Sequence, residues 1–401
     1  MKKTVALCMI VKNESDIILE CLSSLYKLID YWVIADTGST DNTKEIITKF
    51  FKEKNIPGEI VDHEWKNFGH NRTLAFDAAK GKADYALVID ADDYVEGDIK
   101  WPEDMDADSY AMRIGRVEFS WWRNQLFRLD CDWEYVGVLH EYAKPKVLEN
   151  PVIKKLEGAY RIVARTVGAR NKNISIIDKY KNDAIELEKA LIDEPTNARY
   201  QFYLSQSYFD SQQYEKAEES YLKRAGLGGW PEEVYYSVYR IALCKAMLNR
   251  PWPEIQQAFL DAYNNRPIRA EGLFHLSQIY RTKFNMPILA FMFAKAAMDI
   301  PFPQNEILFV PDAIYNWAIL DEVGATAFYA GYPLIGYDAC MRLLKEGHLP
   351  EEHVKRVQDN LENYKQVIEN LMKQNALPAD TLTPKSPIKA PKYKRKKRVS
   401  A

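Results

Sequence analysis

Three carboxylates fall within four residues at the end of an apolar run, LVIDADD over 87–93: Asp90, Asp92 and Asp93. Like charges packed this closely are costly unless something neutralises them. A hard divalent cation does so and can bridge a diphosphate at the same time; a solvated acidic turn after a strand is the plainer alternative. A second polar cluster, DTGSTDNT over 36–43, has the same placement after an apolar run. Asp36 closes the run, Gly38 permits tight backbone geometry, and Ser39, Thr40, Asp41 and Asn42 are types that cap helices. Free amides at a helix N-terminus suit a nucleotide phosphate, and Asp36 would hydrogen-bond a base or ribose. A well-capped loop with no further role is again the alternative.

These clusters need elements to hold them. VALCMIV (5–11) is a nearly continuous apolar run, as a parallel strand covered on both faces requires. Ile17, Ile18, Cys21, Leu22, Leu25 and Leu28 then recur at helical spacing over 15–29, with Ser15 as a plausible cap. YWVIAD (31–36), EIVDHEW (59–65) and YALVID (85–90) read as further strands, and the segments from the 36–43 loop through Phe51 and over 70–80 as helices. Strands alternating with such helices imply βαβ units and a parallel sheet. Ligands of such sheets sit beyond the carboxyl ends of the strands, where this chain carries Lys12-Asn13-Glu14, Asp36 to Asp41 and Asp90 to Asp93. From 110 to 147, YAMRIGRVEF, NQLFRL and WEYVGVLHEY read as mixed strands, and a long helix near 174–192 leads out of the domain.

MIVKNES (9–15), DTGSTDNT (36–43), FGHNRTLAF (68–76), LVIDADD (87–93) and GVLHEY (137–142), taken together, resemble the family-2 glycosyltransferases of the GT-A fold. The resemblance covers residues 4–170. It implies that Asp36 contacts the nucleobase and that Val11, Lys12, Asn13, Glu14 and Gly38 line the nucleotide pocket. Asn71 and Arg72 resemble the family's basic helix, with Arg72 near uracil or phosphate. Asp90 and Ala91 fall at the ribose or sugar, Asp92 is the direct metal ligand, and Asp93 stands behind it. His140 fits a second metal ligand, with a packed core histidine as the alternative. The implied cofactor is Mn2+ or Mg2+, a Lewis acid for the departing diphosphate, and the implied donor is a nucleotide-sugar, a UDP-sugar foremost. An inverting enzyme needs a carboxylate base for the acceptor; Glu141 is that candidate, with Glu134 and Asp132 as rivals. The family's acidic pair before an acceptor-side helix has no clean copy here, HEY being the nearest equivalent. Gly168 and Arg170, in VGARNKN, suit either a loop over the diphosphate or a plain linker. Trp121 and Trp122, with Arg116 and Arg123, suit either an acceptor surface or core packing.

Beyond 195 the chain reads as helical and repetitive. FYLSQSY (202–208) returns as FHLSQIY (274–280), 72 residues on, or two periods of 36. Leu204, Ser205, Tyr208, Ala217 and Tyr221 fit the large and small alternation of tetratricopeptide repeats, and 325–344 reads as one more helical pair. The expected architecture is thus an α/β GT-A domain with a mostly parallel, Rossmann-like sheet over 1–172, followed by all-α repeats. A connecting helix spans 173–194, tetratricopeptide-like repeats 195–348, a last helix 349–376 and a disordered basic tail 377–401. The repeats would bind a protein, peptide or glycan acceptor or mediate self-association.

The chain's 401 residues suit two domains. Residues 385–401 carry eight basic and no acidic side chains, so the other 384 sum to −11, the chain's −3 less the tail's +8. An acidic body argues against general nucleic-acid binding, and the tail suits a polyanion, a localisation signal or a solvated tether. Five scattered cysteines without a CxxC pair point to a reducing compartment. MKKTVALCMIV lacks the small-residue cleavage site of a signal peptide, and no apolar run nears the roughly 20 residues of a membrane span, so a cytoplasmic protein is expected. Two rival functions remain. A nucleotidyltransferase would carry a Gly-rich basic loop where this chain has VKNES, and an inactive repeat scaffold would carry a broken acidic motif.

Overall fold

The computed structural model describes residues 2–115, 120–165, 167–168 and 174–374. The readings made of Arg116, Arg170 and the basic tail lie outside the described residues.

Strand β1 (Val5–Val11) is buried along nearly its whole length. It lies between β2 (Tyr31–Asp36) and β4 (Tyr85–Val88), parallel to both, and β3 (Gly58–Asp62) continues the parallel set beyond β2. Helices α1 (Ile18–Leu25), α2 (Thr43–Lys54) and α3 (Phe68–Ala79) make the crossovers. One face of β1 puts Val5, Leu7 and Met9 into a core with α1 and α2, while Cys8 joins Phe76 and Ala79 of α3 in another. This two-sided burial is why the strand reads as a continuous apolar run.

Helix α1 starts two residues later than a Ser15 cap would place it. Its N-cap is Ile17, with no side-chain cap bond, and the Ser15 amide instead donates to Asp41 Oδ2 at 3.2 Å. The fourth strand likewise stops at Val88, so Asp90 lies past its end.

The rest of the sheet is mixed. Its remaining members are β5 (Tyr94–Gly97), β6 (Ser109–Gly115), β7 (Ser120–Arg128), β10 (Ile153–Lys155) and β11 (Tyr160–Val163). β7 runs antiparallel to β4 and to β6, β11 lies parallel to β6, and β5 is an antiparallel edge. β5, β10 and β11 hold only three or four residues each, too few for a clear alternation. A separate ribbon pairs β8 (Trp133–Val136) with β9 (Tyr142–Pro145). GVLHEY is therefore not a strand, as expected above, but mostly the turn between these two. Gly137 and His140 take positive φ there, 116° and 53°, which a continuing strand excludes.

Helices follow. α4 (Ile176–Asp193) is capped by Ser175, whose hydroxyl accepts from the Asp178 amide; α5 (Ala198–Asp210) and α6 (Tyr214–Gly226) form a hairpin. These three belong with the sheet in one compact unit, residues 1–229. The second unit, from Trp230 onward, holds α7 (Pro231–Met247), α8 (Trp252–Asn265), α9 (Glu271–Thr282), α10 (Pro287–Met298), α11 (Ile319–Thr326), α12 (Pro333–Glu346) and α13 (Glu351–Lys373). The 36-residue period is visible in its contacts. Tyr235 donates to Glu271 at 2.9 Å, and Tyr239 meets His275 at 2.8 Å, each pair 36 residues apart. Among the described residues no helix is long and apolar enough to cross a membrane. All five cysteines are free and buried.

Candidate active site

The carboxyl ends of β1 and β2 are stitched together residue by residue. Thr37 donates its amide and its hydroxyl to Val11 O, each at 3.0 Å. Asn13, held at φ 57°, donates its amide to Ser39 Oγ at 2.9 Å and accepts the Thr40 amide on Oδ1 at 2.7 Å. The Glu14 amide donates to Thr43 Oγ1 at 2.8 Å. Asparagine tolerates this left-handed geometry better than most residues. Hydrogen bonding to Thr43 and Ser15 overcomes the effect of burial and holds the Asp41 carboxyl down at about 2, so it stays an acceptor throughout the physiological range.

Asp36 is 1 % exposed. Its Oδ1 accepts from the amides of Gly38 and Ser39, at 2.9 and 2.8 Å, and Gly38 reaches this position at φ 102°, where a side chain would be strained. Its Oδ2 is buried with no hydrogen-bond partner among the described residues. A buried acceptor left so is costly unless a ligand satisfies it. A pocket of about 410 Å3 opens beside these loops, lined by Val11, Lys12, Asn13, Glu14 and Thr37 together with Trp65 and Phe68. Those two rings meet edge to face, centroids 4.8 Å apart. Sequence reasoning missed both, although their place just past β3 was a usable signal.

On the other side of β1, Arg72 gathers three motifs. Its guanidinium donates to Asp90 Oδ1 and, through Nε, to Glu141 Oε1 at 2.7 Å. The side chains of Arg72 and Glu141 are 10 % and 14 % exposed. Burial works against the charge on Arg72, but Asp90 and Glu141 outweigh it and its pKa rises. Burial likewise favours protonation of Asp90, yet Arg72 and Arg123 outweigh it and keep the carboxylate charged. The approach depends on Gly69, whose missing Cβ would lie 2.5 Å from Gly137 O; Thr73 adds a 2.9 Å bond from the Tyr135 amide. Asn71 is fully buried and serves the fold, joining Lys66 N and Glu64 O.

Ala91 is buried and packs in the core, so only its backbone can face a ligand. Asp92 accepts the Gly168 amide on Oδ2 at 3.1 Å, and Gly168 also lies against Glu14. Burial and the charge of Asp90 raise the Asp92 pKa. The same two causes push Asp93 up to about 7, although it accepts the Arg165 amide at 3.0 Å. Arg165 also donates Nε to Asp92 O at 2.6 Å and pairs with Glu20.

His140 is exposed, not a packed core histidine. Its ring lies on that of Tyr203, and its carbonyl accepts from Arg199 at 2.8 Å. Among the described residues no group of three His, Cys, Asp or Glu side chains is placed to hold a metal. The rivals of Glu141 are engaged elsewhere, Asp132 with Lys80 and Glu134 with Lys144. Trp121 is exposed on β7, and the Lys155 ammonium sits 5.2 Å from the Trp122 ring.

The family model described as Glycosyl transferase family 2 matches residues 6–108. A TPR repeat-containing protein of Synechococcus elongatus is 36% identical over 90 residues, 22% of this chain and 20% of that protein; the chain thus spans about a fifth of the length of this curated relative. Among solved structures, S. aureus TarS 1–349 in complex with UDP-GlcNAc gives a TM-score of 0.33 at 16% identity, covering 67% of this chain and 90% of that one. MamA gives 0.32 at 16% identity, covering 43% and 95%. The chain carries a glycosyl transferase family 2 domain, matched over residues 6–108, together with tetratricopeptide-like helical repeats.

Proposed function

We propose that this chain transfers a sugar from a nucleotide-sugar, a UDP-sugar foremost, to a protein, peptide or glycan acceptor, with inversion and with a divalent cation. The observation that carries the reading is the orphaned Asp36 Oδ2 beside an open pocket, with Asp90 and Glu141 held by one arginine on the adjoining strand end. In this reading Asp36 Oδ2 accepts the N–H of the base, Trp65 or Phe68 offers it a face, and Lys12 and the 13–14 amides line the rest of the nucleotide. Asp90, kept ionised by Arg72 and Arg123, binds sugar or ribose hydroxyls.

The carboxylates suit Mn2+ or Mg2+. Asp90, Asp92 and Asp93 crowd three charges into four residues, and the pKa values of Asp92 and Asp93 are raised first by burial and then by the charge of Asp90. Such ions commonly take one or two protein ligands and fill the rest of their shell from phosphate and water. We assign Asp92 and His140 as those protein ligands. A bound cation would stabilise negative charge on the leaving diphosphate. Glu141 is assigned as base: Arg72 takes Oε1 and orients the carboxylate, and Oε2 is the atom that would receive the acceptor's proton.

The test is nucleotide release from UDP-, GDP- and CMP-sugars, with and without Mn2+. Metal-dependent release from one donor, abolished in folded Asp92→Asn, supports the reading. A folded chain that neither binds nor turns over any of them would instead be the inactive repeat scaffold.

A further inference from the structure

Two adjoining cavities of the second unit, of about 350 and 610 Å3, share Ala325 and Asn360 and so form one groove along α9, α11 and α13. Nothing in the transfer chemistry uses it. Its wall is a row of amides on α13: Asn360, Asn363, Gln366 and Asn370. At 1.5 Å per residue the row runs about 15 Å. Each amide can both donate and accept, and among the described residues none of these side chains has a protein hydrogen bond.

The charges in the groove cancel within it. Arg281 binds Glu322 with both Nε and Nη2, at 2.8 and 2.5 Å. Arg356 binds Asp321 with both terminal nitrogens, at 3.0 and 2.8 Å. The exposed apolar surface at the end of α11 is aromatic. Phe328 and Tyr329 are 50 % and 61 % exposed and stand at right angles, centroids 5.5 Å apart. The turn bearing them is pinned to α13 by the Phe328 amide, which donates to Tyr364 Oη at 2.9 Å, while that hydroxyl donates to Gly324 O at 2.9 Å.

We propose that this groove binds a neutral oligosaccharide chain. Sugar hydroxyls donate and accept, as the amides do. The C–H faces of a pyranose are electropositive and lie on the negative faces of aromatic rings. Internally quenched ion pairs present no net charge to a carboxylated or sulfated chain. A docked peptide would need holes for apolar anchors; along the α13 wall amides occupy those places, and the apolar lining of Phe274, Ile314 and Trp317 is confined to the larger cavity. The inference rests on the transfer reading only in making this glycan the acceptor; binding itself needs neither donor nor metal.

The test is affinity electrophoresis of the full chain through gels holding neutral polysaccharides (glucan, mannan, galactan, xylan), with heparin and an uncharged Gly/Ser-rich polypeptide as comparisons. The expected result is retardation by at least one neutral polysaccharide and not by the polypeptide; retardation by heparin reports the basic tail and should be the same in every groove variant. The apparent dissociation constant should rise tenfold or more in Asn360→Ala/Asn363→Ala and in Tyr329→Ala, where Asn360 is half-buried and the other two are exposed, and stay unchanged in Asp36→Asn. Retardation equal in all variants, by none of the neutral polysaccharides, or by the polypeptide alone overturns the proposal. A failure of donor turnover with retardation intact would count against the transfer reading alone.

Discussion

The imidazole of His140 lies flat on the phenol ring of Tyr203, centroids 3.9 Å apart and planes 9° from parallel. Arg199, on the same helix, sits 4.8 Å from the Tyr142 ring and 4.9 Å from the Tyr203 ring while donating to His140 O. Helix α5 therefore grips the turn that carries Glu141 on both sides. One aromatic stack and one cation–π contact are together worth about 1–2 kcal/mol. If that energy holds Glu141 in place, Tyr203→Ala should lower kcat about tenfold and leave the metal-free dissociation constant for UDP unchanged. Tyr203→Phe, which keeps the ring, should restore kcat. Steady-state kinetics beside metal-free UDP titration decides it; unchanged kcat in Tyr203→Ala would show that α5 does not position the base.

Arg72 is the shared partner of two carboxylates, and removing it leaves both uncompensated. Breaking a buried pair at one end costs about 3–5 kcal/mol; here the partial exposure of Asp90 makes about 2–3 kcal/mol the expectation for Arg72→Met, measured by urea unfolding. Adding Glu141→Gln should return part of that loss, giving a coupling energy of about 1–2 kcal/mol. Simple additivity of the two substitutions would mean that the pair contributes nothing as a pair. Arg72→Lys should also fail, since an ammonium cannot present the planar fork that spans both acceptors.

Much of this was legible in the sequence, and the reason is local. β1, β2 and β4 are buried on both faces, so each leaves an unbroken apolar run, and their carboxyl ends had to carry the polar clusters. The Arg72 bridge was not legible. Its partners lie 18 and 69 residues away, and no local pattern reports that α3 packs on the β8 ribbon. The turn over 137–141 was misread as strand because Val138 and Leu139 are apolar, while the positive φ of His140 leaves no mark on residue type. The 36-residue repeat came through because the same contacts recur at that offset.

His275 offers a pH test of the second unit. It is largely buried beside Tyr239 and Phe259, and burial lowers its pKa to about 4 despite the opposing pull of Glu271 and a hydrogen bond with Gln278. The folded protein therefore takes up this proton later than the unfolded chain, whose value is about 6.5. Stability from the neutral ring is complete above pH 6.5, falls as pH drops towards 4 and is flat below it, a total of about 3 kcal/mol. NMR should find the His275 ring titrating near pH 4, and His275→Gln should remove this part of the pH dependence. A midpoint near 6.5 would contradict the burial argument.

Asp36 gives the sharpest test of donor recognition, because its two oxygens have separate duties. Oδ1 holds the Gly38 and Ser39 amides, and Oδ2 faces no protein donor. In Asp36→Asn the carbonyl oxygen must stay with those two amides, so the NH2 group replaces Oδ2. An acceptor for the base thereby becomes a donor. Uracil presents N3–H at that edge, whereas cytosine presents a bare N3. The variant should thus lose UDP affinity by about 10- to 100-fold, the effect of about 1–3 kcal/mol for a buried mismatched group, and gain in CDP affinity relative to UDP. Calorimetric titration of both nucleotides against both proteins measures this directly. An equal loss for UDP and CDP would mean that Asp36 shapes the loop without reading the base, and unchanged UDP binding would remove it from the site.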